Sequence, residues 1–124
     1  MRLVWLGATL CTFLTVNSAT VAQPPPQMEF TGSWTFTWDN DSKNANAAVL
    51  KHEGGTITGT YINDAKEKCP VVGRMNSSAN SVTLTITCPR WDIKCDGSIK
   101  SLQLVAGRYA AYGSASGDFQ MSRK

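Results

Sequence analysis

Phe30-Thr31-Gly32-Ser33-Trp34 returns further along the chain as Ile57-Thr58-Gly59-Thr60-Tyr61. In each copy a large apolar residue, a glycine and a large aromatic occupy alternate positions. In a strand these three point to one face and the hydroxyl-bearing residues to the other. A glycine on a packed face marks a tight bend or a close approach of two backbones, which a small, strongly coiled barrel requires. The same alternation spreads outward from the first copy. Phe30, Gly32, Trp34, Phe36 and Trp38 alternate with Thr31, Ser33, Thr35 and Thr37, and the run ends at the turn-forming Asp39-Asn40-Asp41-Ser42. A weaker run over residues 47–52 stops at Glu53-Gly54-Gly55, a hairpin signal, and a third covers residues 56–63.

The next two runs flank Asn76-Ser77-Ser78-Ala79-Asn80. A hairpin centred between Ser78 and Ala79 sets Met75 opposite Val82, Gly73 opposite Leu84 and Val71 opposite Ile86, and brings Cys69 to Cys88. All of these pairs then share one face, which favours a Cys69–Cys88 disulfide. Cys88 with Cys95, closing a loop around Arg90-Trp91-Asp92, is the competing pairing; sequence alone leaves the connectivity open. Runs at residues 99–106, 109–115 and 119–123 follow, and no long segment has a helical period. The expected fold is an all-β, seven- or eight-stranded up-and-down antiparallel β-barrel, with a β-sandwich as the alternative.

Residues 1–22 have the form of a secretory signal: a basic start at Arg2, a mostly apolar stretch and a small residue, Ala22, before the expected cleavage point. The apolar stretch is shorter than the ~20 residues a membrane-spanning helix needs. No stable membrane anchor is therefore expected after cleavage. Residues 23–29 begin with Gln23-Pro24-Pro25-Pro26 and read as a stiff spacer, leaving residues 30–124 as a single barrel domain. Removing Arg2 leaves eleven Lys and Arg against nine Asp and Glu, a balance of +2 spread along the chain. That speaks against nucleic acid as a partner. A secreted or periplasmic location permits disulfides, so Cys69, Cys88 and Cys95 are expected to give one bridge and one spare thiol.

The twin phrases resemble those of the calycin barrels, and within them avidin- and streptavidin-like proteins most closely. The matching motifs are Thr31 to Trp34 in the first strand, Thr58 to Tyr61 in the third, and Gly73-Arg74-Met75 followed by the strand over residues 82–87. The resemblance covers the first half of the chain beyond the signal. It implies a barrel with a ligand end, and a tyrosine at the position of Tyr61 that donates a hydrogen bond to the biotin ureido group. Other positions depart from that family. Phe36 stands where an asparagine is expected, and Leu84, Ile86, Leu102 and Leu104 stand where tryptophans line the pocket. A urea would lose buried partners against such a wall, so the resemblance implies the barrel more than biotin.

Candidate chemistry is sparse. His52 is the single histidine, placed near a strand end and expected to be solvent-exposed, and no nucleophile motif is present. Three cysteines and one histidine lack metal-ligand spacing. Asp39, Asp41, Asp64, Asp92, Asp96 and Asp118 are expected in turns, where aspartate bonds nearby backbone. No enzyme activity, cofactor or metal is therefore expected. Two binding functions remain. In the first, a small apolar or amphipathic molecule occupies a cavity of at least ~300 Å³. Trp38 and Tyr61 would stand at its mouth and Trp34 and Phe36 on its wall; an interior filled by Trp34, Phe36, Leu84 and Met75 would exclude it. In the second, a protein partner is held by Arg90 and Trp91 on the Cys88–Cys95 loop. Asn40 and Asn76 begin N-glycosylation triplets.

Overall fold

The structure is a computed structural model that describes residues 28–111 and 115–123. The expected signal and most of the proline-rich spacer lie outside the described residues. Eight strands follow one another: β1 (Gly32–Trp38), β2 (Asp41–Glu53), β3 (Thr56–Ile62), β4 (Lys68–Asn76), β5 (Ser81–Cys88), β6 (Trp91–Ser101), β7 (Leu104–Ala111) and β8 (Ser116–Arg123). Each pairs antiparallel with the next, and β8 returns to β1, so the sheet closes into an up-and-down barrel without free edges. The sandwich alternative is thereby excluded. Along most strands buried and exposed residues alternate, as period two demands of a sheet with one face inside.

The glycines of the twin phrases serve different physical needs. Gly32 has φ 130°, a backbone conformation that L side chains rarely adopt. Gly59 has an ordinary φ but faces Leu50 and Val71 across the sheet, and a Cβ there would strike the Val49 carbonyl and lie 2.8 Å from Leu50 Cδ2. Gly73 is equally confined, against the Thr83 carbonyl and the Leu84 side chain. These two inward glycines let the sheet coil tightly around large side chains.

The β4–β5 register is the one read from the sequence, with Val71 opposite Ile86, Gly73 opposite Leu84 and Met75 opposite Val82. Cys69 and Cys88 are joined with Cα atoms 4.7 Å apart, which sets aside the Cys88–Cys95 pairing. Cys95 is a free, buried thiol.

Three expected elements are corrected. The strand expected over residues 47–52 runs from Asp41 to Glu53, because the β1–β2 connection is only Asp39-Asn40, both at positive φ as a two-residue hairpin turn requires. The run over residues 99–106 is broken: β6 ends at Ser101, β7 starts at Leu104, and Leu102 and Gln103 form the turn between them. Apolar residues on both sides of that turn disguised it as one strand. The expected Cys88–Cys95 loop is mostly strand, since Trp91 opens β6 and pairs with Cys88 across the short connection Pro89-Arg90. Asp41, Asp92, Asp96 and Asp118 accordingly lie in strands and not in turns.

One end of the barrel is sealed. Phe30 is fully buried and Met28 is 6 % exposed, so the last residues of the expected spacer pack onto the domain. The Trp34 indole N–H donates to the Phe30 carbonyl at 2.8 Å, and the Arg123 guanidinium lies 4.4 Å over the Trp34 ring. Arg123 also donates to the carbonyls of Thr31 (3.0 Å) and Glu29, joining the last strand to the segment before the first. His52 belongs to this seal, and its expected exposure is corrected. Its side chain is 8 % exposed, Nδ1 accepts from the Phe30 amide at 3.3 Å, and among the described residues the buried Nε2 has no partner.

Candidate ligand-binding site

Above the seal the interior is filled. Trp34 and Phe36 are fully buried, Leu84 and Ile86 nearly so, and Met75 packs against them from a partly buried position. The sequence reading set such a filling against a ligand held on the alternating face, and the filling does remove Trp34 and Phe36 from any binding wall. The cavity of at least ~300 Å³ that the same reading required is confined to the mouth. At the opposite end, where β1, β3, β5 and β7 finish, the strands open around a cavity of about 350 Å³.

Its walls follow from the alternation of each strand. Trp38 ends the inward row of β1 after Trp34 and Phe36, Tyr61 ends that of β3, and Tyr109 reaches in from β7. Trp38 is met nearly edge-on by both tyrosines, with ring centroids 6.0 Å from Tyr61 at 75° and 5.1 Å from Tyr109 at 78°. Phe36 stacks beneath Trp38 at 5.7 Å, fully buried, and does not line the cavity. Trp34 lies at the sealed end, remote from the cavity. Of the four aromatics expected to bind a ligand, the cavity thus collects Trp38 and Tyr61.

Arg90 and Trp91, assigned in the sequence reading to a separate protein-binding loop, line this same cavity. Arg90 donates to Glu67 at 3.3 Å, clasping the β5–β6 connection to the β3–β4 connection. The latter is shaped by Asn63, whose carboxamide accepts from the Glu67 amide at 2.8 Å and donates to its carboxylate at 2.9 Å. Trp91 is 37 % exposed at the rim.

A polar chain crosses the mouth. The Trp38 indole N–H is shared between the Tyr61 hydroxyl (3.0 Å) and Asn46 Oδ1 (3.3 Å), and Asn46 Nδ2 donates to Asp64 at 2.9 Å. Tyr61 therefore accepts, and among the described residues nothing takes its own proton, which remains available to a ligand. Burial pushes the Tyr61 hydroxyl well above the ordinary tyrosine range, so it acts as a neutral donor. Tyr109 donates to both carboxylate oxygens of Asp39 at 2.9 and 3.1 Å. Its ionisation is also raised, by desolvation first and the Asp39 bond second.

The sequence reading missed Asn44, Asn46 and Tyr109. Inward asparagines in Asn44-Ala45-Asn46 break the apolar alternation by which a strand is recognised, and only the extended β2 turns them inside. Among the described residues no group of three or more His, Cys, Asp or Glu is placed to hold a metal ion. No protein family matches this chain, and no curated protein is significantly similar to it.

Proposed function

We propose that the protein is a secreted or periplasmic, non-enzymatic barrel that holds one small amphipathic molecule in its open end. The observation that carries this reading is the cavity of about 350 Å³ beside Trp38, Tyr61 and Tyr109, in a barrel whose remaining interior is close-packed. Its size falls within the range of small-molecule sites, and its mixture of rings with a few fixed polar groups is their usual lining. The Cys69–Cys88 bridge fits an oxidising compartment, in keeping with residues 1–22 as a signal. The avidin-like motif supports the same end of the barrel as the ligand end, since Tyr61 belongs to it. The Tyr61 hydroxyl, raised by burial, stays a neutral hydrogen-bond donor at the mouth, which suits binding.

The small-molecule reading takes precedence over capture of a protein by Arg90 and Trp91, because these residues stand on the cavity rim and not on a tethered tip. Native mass spectrometry of protein recovered from the secreted or periplasmic fraction tests it. A co-purifying small mass that is lost in Trp38→Ala is the expected result. Bare protein from every preparation, with a protein partner lost in Trp91→Ala, would overturn it.

A further inference from the structure

The chemistry of the lining narrows the ligand class. We propose that the open end takes a neutral carbohydrate of one or two pyranose rings, an inference that rests on the small-molecule reading of the same cavity.

The inner face of β2 carries the first argument. Its buried positions Ala48 and Leu50 give way, toward the mouth, to half-buried Asn46 and Asn44. A purely apolar ligand needs alanine and leucine at these positions too. Against asparagines it would strip water from carboxamides without replacing their hydrogen bonds. The lining charges carry the second argument. Among the described lining residues only Asp64 and Arg90 are charged; Asp64 accepts from Asn46, and Arg90 is paired with Glu67. The lining therefore holds one carboxylate and one paired guanidinium, with no cluster of like charge such as an ionic ligand would call for.

What remains is a neutral ligand with an apolar face and a polar edge. A pyranose ring has both: its C–H face rests on aromatic rings, here the rim residue Trp91 and the partly buried Tyr109, while its hydroxyls both donate and accept. Carboxamides do the same, and Asn46 is held in one orientation by Trp38 and Asp64. The Tyr61 proton supplies a further donor at the floor of the polar side.

The test is calorimetric titration, with tryptophan emission followed in parallel, of the chain without residues 1–22. The probes are cellobiose, maltose and N,N′-diacetylchitobiose, with anilinonaphthalene sulfonate as the apolar probe. The expected result is saturable binding of at least one disaccharide, weakened about tenfold or more by Trp91→Ala and by Asn46→Ala and unchanged by Thr83→Ala on the outer face. Melting curves of each variant separate lost binding from lost folding, and the exposed Trp91 keeps the test valid if Asn46→Ala unfolds. Disaccharide binding indifferent to both folded variants would overturn the site. Binding of anilinonaphthalene sulfonate alone, sensitive to Trp91→Ala, would overturn the carbohydrate class and leave the small-molecule reading standing. Binding of no probe would overturn the carbohydrate proposal, while a co-purifying mass in the native protein would still uphold the cavity as a site.

Discussion

Cys95 shows what burial does to a single reactive group. It faces inward from β6, opposite Leu84 on one side and Tyr109 on the other, and is 1 % exposed. Burial, reinforced by the nearby Asp96 carboxylate, pushes its thiol from an ordinary 9.0 up to about 12. In the unfolded chain the thiol loses its proton first, so between pH values of about 9.0 and about 12 the folded state binds more protons and stability falls as pH rises. Below that window Cys95 makes no pH-dependent contribution. Cys95→Ala is therefore expected to flatten the alkaline decline of the melting temperature, as followed by circular dichroism. In the chain without residues 1–22 a thiol-reactive dye should label nothing at neutral pH in the native state, and one thiol per chain should react after unfolding. The sequence counted this spare thiol correctly. Its inaccessibility follows from the inward row Ile93, Cys95, Gly97 and Ile99 of β6, the first part of which the sequence reading took for a loop.

At the scale of the strand, the glycines decide how closely neighbouring backbones approach. Gly59→Ala and Gly73→Ala each force a methyl group onto a carbonyl and a leucine of the next strand. Each is expected to cost about 1–3 kcal/mol, the range of overpacked cores. Gly55→Ala, whose Cβ would come no closer than 3.8 Å to the Met75 carbonyl, should stay within about 0.5 kcal/mol of the parent. Urea denaturation of the three variants checks this, and equal stabilities would remove the close-approach argument. The twin phrases were legible because apolar, glycine and aromatic residues repeat with period two. β2 and β6 were less so, for opposite reasons. β2 carries asparagines inward at the mouth, where a cavity and not a core awaits them, and the start of β6 was read as part of a Cys88–Cys95 loop because Trp91 and the preceding Arg90 looked like a binding tip.

For the whole molecule, closure and one cross-link supply what so small a core lacks. The β8–β1 pairing leaves no edge, Arg123 binds the segment before β1 at the sealed end, and Cys69–Cys88 ties β4 to β5 beside the open one. The bridge spans 19 residues of sequence, so chain entropy assigns it about 3 kcal/mol of stability. The double variant Cys69→Ala, Cys88→Ala should thus melt roughly 10–20 °C lower, as read by scanning calorimetry. A shift of a few degrees would mean that the bridge constrains little. The all-β alternation was determined by the sequence itself, because period two and inward glycines are local properties that a strand writes into its residues. Barrel over sandwich and Cys69–Cys88 over Cys88–Cys95, favoured there but left open, were decided by closure of the sheet and the β4–β5 register. The candidate site was decided by tertiary structure. Trp38, Asn46, Tyr61, Arg90-Trp91 and Tyr109 belong to five separate segments, and only the curvature that closes the sheet brings them around one opening.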